Sequence, residues 1–378
     1  MKRLTYIALA ALLALSACSK VEQSGVQTGR RISFSVGDYV VGTKADTTGL
    51  SGVTTEFRSR AFLHAYGVDA TQDFFGLGEG EKIAFDGSKT WAPGADSGYD
   101  YFWPFNAQSY INFVCWYDRN GAPDTETLSE TNLEWTDRTI VGDDEILFAD
   151  EAWRFNDNDH RKYGVEADFG VPVLFHHALA QIHFRGQLFN NSTTASTANY
   201  ITSLTGNTRW EVYLKDVTLS NVYPTGSLVL SNADPTTSYT TREWTAASGA
   251  VWTPKAGTAA ALAIADSTNI GVTAVDLLAT STVLPQTVTG EMVLSFTYGI
   301  RTYLKDAGSS EFSATPHSVE IVRYSRPLRD VVPSITEWAM GTRYTYTIVI
   351  DPVTGSILFD PSLEDWSMTV GGGTVTLE

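Results

Sequence analysis

The chain has 378 residues, 43% of them hydrophobic, which is enough to fill at least one substantial core and excludes a chain that stays disordered. Acidic residues outnumber basic ones 43 to 26, and the resulting charge of -17 repels phosphate backbones and anionic headgroups. Nucleic acid is thereby excluded as a natural partner.

The first twenty residues, MKRLTYIALAALLALSACSK, follow the layout of an export signal: a basic end at Lys2 and Arg3, an apolar run, then small residues before a cysteine. The apolar run is too short to span a bilayer. Its end, LSAC, has the spacing of a bacterial lipobox, which makes residues 1–17 a signal peptide and Cys18 an acylated first residue of the mature chain. The plainer alternative is a soluble secreted protein with an ordinary cleavage site. Several acyl chains, each methylene contributing ~0.8 kcal/mol, would hold the protein on a membrane without a transmembrane helix. Cys115 is then the one remaining cysteine, so no intramolecular disulfide is expected. Its setting, INFVCWYD, predicts a buried and inert thiol.

Residues 18–30 are polar and without period, a tether. Period-two patterns then dominate. In RISFSVGDYV, Ile32, Phe34, Val36 and Val40 share one parity and Arg31, Ser33 and Ser35 the other, which predicts a half-buried strand. Further strands are predicted at AFLHAYGV, SYINFVCWYD, EILFAD, VLFHHALAQIHF, WEVYLKDVTLSNV, GSLVLS, MVLSFTYGI, VEIVRY, RYTYTIVI and SILF. No segment sustains a helical period with caps, and Thr, Val and Tyr favour pleated surfaces, so the chain reads as all-β. Residues 190–208 and 232–258, rich in Ser, Thr, Ala and Gly, are expected as surface loops.

Chemistry is sparse along this chain. The motifs of zinc proteases, paired-cysteine sites, serine hydrolases and phosphate loops are missing, and no metal or cofactor is expected. His176, His177 and His183 crowd into LFHHALAQIHF. On one strand, neighbours diverge, and His177 and His183 stand about 20 Å apart at ~3.3 Å per residue, too far to share an ion. In NDNDHRKYG, Arg161 and Lys162 occupy positions where a calcium loop needs an oxygen ligand and a glycine. Asp143, Asp144 and Glu145 read as a solvated cap on a strand end. Trp103, Trp116, Trp210, Trp338 and Trp366 fall in strand patterns and are expected in the core, whereas Trp244 and Trp252 are candidates for an exposed sugar platform.

A series of motifs in order carries a family resemblance: YFWPFNAQSYINFVCWYD, DDEILFAD, VLFHHALAQIHF, VYLKDVTLSNVYPTGSLVL, VLPQTVTGEMVLSFTYG, WAMGTRYTYTIVI and ILFDPSLEDW. From about Ile32 to the C-terminus the chain resembles the fimbrillins of Bacteroidales, subunits of type V pili. The resemblance implies two transthyretin-like Greek-key β-sandwich domains in tandem, residues 31–170 and 171–378, the second opened by the FHHALAQIHF strand. It implies an outer-membrane, surface-exposed lipoprotein without catalysis, a structural and adhesive subunit of a fimbrium. Its partners would be other fimbrillin subunits, the outer-membrane lipid through the acylated cysteine, and a ligand on a host or bacterial surface.

The resemblance also implies assembly by strand exchange. A protease cuts after a basic residue, the first strand leaves, and the groove once plugged by Ile32, Phe34 and Val36 accepts a strand from a neighbour. Where the family places the cleavage arginine this chain has Lys44; Arg31, Arg58 and Arg60 are the other candidates. An uncut chain would be an anchor or tip component. The C-terminal tail, residues 366–378, is suited to be the donor: Trp366, Met368 and Val370 alternate on one face, and Val375 and Leu377 continue after Gly371 to Gly373. The tail could instead close its own sheet. The competing function is a surface glycan-binding lipoprotein, in which exposed tryptophans and loop carboxylates grip a polysaccharide.

Overall fold

The computed structural model describes residues 31–36, 54–85, 91–106, 108–141, 144–149, 170–190, 194–234, 238–246, 268–278 and 280–366. Cys18, Lys44, Met368, Val370, Val375, Leu377, Asp143, Trp252 and the NDNDHRKYG stretch lie outside them. Among the described residues every regular element is a strand except one helical turn, Leu328–Val331. The fold is all-β.

The chain forms two compact units and passes between them more than once. The first takes Met1–Trp116, Ala149–Leu174 and Asp234–Ser238, and the second Tyr117–Phe148, Phe175–Ala233 and Tyr239–Glu378. This differs from a single cut between residues 170 and 171. The reason is strand pairing over long separations: β7 (Asn132–Thr139) is antiparallel to β15 (Thr225–Ser231) in the second unit, and β9 (Val171–Val173) pairs with β1 (Phe34–Val36) in the first.

In the first unit β2 (Glu56–His64) is antiparallel to β6 (Tyr110–Asp118), to the two-residue β3 (Gln72–Asp73) and to β4 (Glu81–Phe85). β4 continues to β5 (Trp91–Pro93), β5 to β1, and β1 to β9. Alternation along β2 turns Phe57, Ser59 and Ala61 inward. In β6, Ile111 to Trp116 are all buried, because both faces of that strand are covered. β1 is likewise covered on both sides: Phe34, Ser35 and Val36 are all buried, where alternation alone had predicted an exposed Ser35.

The second unit holds two sheets around one core. In one, β11 (Ala180–Leu188) runs parallel to β24 (Thr342–Ile350), which is antiparallel to β25 (Ile357–Asp365); β18 (Val275–Asp276) and β19 (Ser281–Val283) pair with β11. In the other, β14 (Thr208–Ser220) pairs with β21 (Val293–Leu304), β21 with β22 (Ser318–Pro327), and β12 (Thr194–Ser196), β13 (Ile201–Ser203) and β17 (Thr268–Ile270) complete the β14 side. Ile182, Phe184, Leu214, Phe296, Tyr346 and Ile348 from both sheets meet in one apolar cluster. A small sheet adds β16 (Thr241–Ala246) to β15 and β7, and β20 (Gln286–Thr287) pairs with β23 (Glu337–Trp338). Strands β12, β13 and β16 therefore occupy segments expected as loops: short polar hairpins give too weak an alternation to read from sequence.

The histidine stretch is two strands, β10 (Phe175–His177) and β11, interrupted at Ala178 and Leu179. Ala178 donates its backbone N–H to the carbonyl of Ile146 at the start of β8 (Ile146–Ala149), 2.9 Å away. His177 Nδ1 meets the Glu145 carboxylate at 2.8 Å, and His183 Nε2 lies 3.3 Å from Asp276. Each is a local pairing. No group of three or more His, Cys, Asp or Glu among the described residues is placed to hold a metal.

Candidate functional site

The seat of β1 is the feature of the first unit with the most to lose. β1 lies inside the sheet, antiparallel to β5 through Phe34 opposite Trp91, and parallel to β9 along Phe34 to Val36. Ile32, Phe34 and Val36 are at most 2% exposed. The Phe34 ring is edge-on to Phe57 at 5.7 Å and to Phe113 at 5.1 Å, and Trp91 packs against Phe57 and Phe85. Burial of three such side chains stabilises the seat by ~1.5–3 kcal/mol each, an upper bound set by the extended reference chain.

Backbone geometry shapes the other wall. Val171 donates to the Ser33 carbonyl at 2.7 Å. Gly170, at φ +76°, stands so close to Ser33 that an added Cβ would come within 2.5 Å of that carbonyl. Only glycine accepts both conditions. The buried Trp91 Nε1 has no acceptor among the described residues. Trp91, Gly170 and Val171 were not legible as site residues. They contribute through pairing between positions far apart in the chain, and the glycine alone gave a hint.

The charged candidates divide sharply. Arg58 lies inside β2, opposite Lys82 of β4 and Trp116 of β6, with its guanidinium on Asp96 at 2.8 Å and the Gly80 carbonyl at 2.9 Å. Arg60 is opposite Val114 and pairs with Asp73 at 3.2 Å. In the folded chain both arginines lie within the paired strand β2. Arg31 pairs with Asp100 and bridges to Phe102.

Trp366 is 9% exposed, stacks on His177 with ring centroids 3.9 Å apart, and donates its backbone N–H to the Gly341 carbonyl at 2.6 Å. It is anchored in its own unit.

Other expectations were met or corrected by packing. Trp103, Trp116 and Trp338 are buried, and Trp210 is partly buried against the core. Trp244 is half-buried, with its indole N–H on the Ala178 carbonyl at 2.7 Å, which takes it away from a sugar platform. Asp144 and Glu145 are not a solvated cap: both are buried, Asp144 paired with Arg138 and Asn120, Glu145 with His177. Arg138 also makes two contacts to the carboxylate of Asp118 at 2.8 and 3.0 Å, and Trp135 donates to it at 3.1 Å. Cys115 is fully buried at 3.4 Å from the Ser59 hydroxyl, and burial pushes its thiol up to about 12. No helix among the described residues is long and apolar enough to cross a membrane.

No curated protein matches the sequence significantly. A fimbrial protein from Bacteroides vulgatus has the same fold at a TM-score of 0.53 and 14% identity, over 89% of this chain and 100% of its own. A candidate cell adhesion protein from Bacteroides uniformis matches at a TM-score of 0.44 and 15% identity, over 89% and 98%. A fimbrial assembly protein from Parabacteroides distasonis matches at 0.33 and 9%, over 89% and 96%. The fimbrillin-like family model covers residues 63–366, most of the chain, and this protein belongs to the fimbrillin-like family.

Proposed function

We propose that the chain is a structural and adhesive subunit of a surface fimbrium, exported as an outer-membrane lipoprotein through acylated Cys18 and polymerised by strand exchange. One observation supports this most: Phe34 to Val36 form an interior strand between β5 and β9, with its side chains buried on both sides. Its departure would leave Trp91, Val171 and Val173 facing a vacant row, and the free edges of β5 and β9 would need new partners. A strand from a neighbouring subunit supplies both by β-augmentation.

A cut that frees β1 and leaves β2 intact must fall after Val36 and before Thr54. Lys44 is the single lysine or arginine between those positions. The donor is the tail after Trp366, with Met368 and Val370 entering first and Val375 and Leu377 beyond the three glycines.

The experiment is limited trypsin treatment of the purified chain followed by electrophoresis without boiling. Wild type should give a ladder of detergent-resistant multimers; the pair Met368→Asp and Val370→Asp should give monomer. A ladder undiminished in the double variant removes the tail from the donor role.

A further inference from the structure

The start of the first strand is gripped by a loop and not by the sheet. Ile32 donates its N–H to the Tyr101 carbonyl at 2.9 Å, Arg31 and Phe102 form an isolated antiparallel bridge, and the Arg31 guanidinium pairs with the Asp100 carboxylate. Three consecutive loop residues thus hold Arg31 and Ile32, where the plug begins.

That loop is built to keep its shape. Glu81 is fully buried, a costly place for a carboxylate unless its lone pairs are used. They are used: Oε1 accepts from the backbone N–H of Lys82 at 3.1 Å and of Asp96 at 2.9 Å, and Oε2 from the Tyr101 hydroxyl at 3.1 Å. The Tyr101 ring is edge-on to Phe75 at 4.7 Å, and burial raises its phenol to about 12. At the loop's other end Gly94, with φ +112°, approaches the Tyr99 carbonyl so closely that a Cβ would meet it at 2.3 Å. Asp96 is further tied by Arg58 and Lys82.

We propose that the loop from Gly94 to Phe102 is a retaining clamp, which sets how long the severed first strand stays seated before a donor replaces it. Asp100 and Tyr101 hold Arg31 and Ile32, and Glu81 is the positioning residue that fixes the loop. This rests on the strand-exchange reading. The argument is one of direction: the cut lies beyond Val36, so the strand peels from that end, and the clamp on Arg31 and Ile32 is the last contact to break. The apolar plug decides whether the strand sits. The clamp decides how fast it goes.

The test uses the full chain with Lys44 replaced by the recognition sequence of a site-specific protease and cut there, with an excess of isotope-labelled peptide running from Arg31 to that cut as competitor. Loss of the original fragment is followed by mass spectrometry. Asp100→Ala should speed release about two- to fivefold, the span expected from an exposed ion pair. Glu81→Gln, which cannot accept the same three donors, should speed it roughly tenfold or more. Arg31→Ala should reproduce Asp100→Ala, and the two together should add nothing. Release at the wild-type rate in Asp100→Ala, or additive effects of Asp100→Ala and Arg31→Ala, overturns the clamp alone. Retention of the cut fragment in wild type and every variant overturns the strand-exchange reading, and the clamp with it.

Discussion

β1 in the first unit and β24 in the second occupy the same kind of place. Each is an interior strand with one parallel and one antiparallel neighbour, β9 and β5 for β1, β11 and β25 for β24. They differ in what holds their first residues. β24 is nine residues long, paired with β25 along its whole length and with β11 from Arg343 to Ile350, and Tyr344, Tyr346, Ile348 and Ile350 all enter the core. Ahead of Phe34 the chain is held by a loop instead: Ile32 donates to the Tyr101 carbonyl and Arg31 bridges to Phe102. What separates the two is that β24 is held from its first residue by sheet rungs, and the start of β1 by loop contacts.

Substitutions in the two strands should behave differently before and after processing, and this is where the comparison is easiest to break. In the uncut chain Phe34→Ala should cost ~3–5 kcal/mol and Ile348→Ala ~2–5 kcal/mol, each seen in calorimetry as a loss confined to its own unit. Once the first strand has been cut and exchanged, Phe34→Ala should melt like wild type while Ile348→Ala keeps its deficit. A Phe34→Ala deficit that survives processing would mean that β1 never leaves. Gly170→Ala should be next in size, roughly 1–3 kcal/mol, because the new Cβ meets both an unfavourable φ and the Ser33 carbonyl. Its signature is faster hydrogen exchange at Phe34 and Val36, with β24 amides unchanged. Tyr346→Phe probes the other strand by a single atom. The Trp338 indole N–H donates to the Tyr346 hydroxyl at 2.8 Å, both groups are buried, and the orphaned donor should cost ~1–3 kcal/mol of the second unit's stability.

The alternation of Ile32, Phe34 and Val36 announced a strand with those three side chains inward, because period two depends only on local residues. Strands β2, β6, β14, β21 and β24 were legible for the same reason. What stayed hidden was pairing between distant segments. Nothing near Asn132 says that β7 will join β15, so the interleaving of the units could not be read from composition or spacing. The same limit applies to Arg58 and Arg60, candidate cleavage sites in the sequence, whose pairing with β6 only the fold supplies. Glu145 and His177 are 32 positions apart, and only the fold turns a supposed solvated cap into a buried pair.

The smallest expected effect concerns acid. Burial lowers the His183 imidazole below its ordinary value, partly offset by Asp276 and reinforced by Arg185 and Arg343. The native state thus favours neutral histidine, while the unfolded chain takes up a proton near pH ~6.5. As pH falls through that value the unfolded state binds more protons and stability declines, until the folded-state pKa is passed and the loss levels off. His183→Gln should flatten this slope, read as a smaller drop in the melting temperature of the second unit between about pH 7.5 and pH 5. His183 stands opposite Thr345 on the parallel neighbour of β24, whereas β1, β5 and β9 contain no histidine. Mild acid should therefore loosen the surroundings of β24 and leave those of β1 unchanged, so that, on the strand-exchange proposal, release of the cut first strand keeps its rate over the same interval.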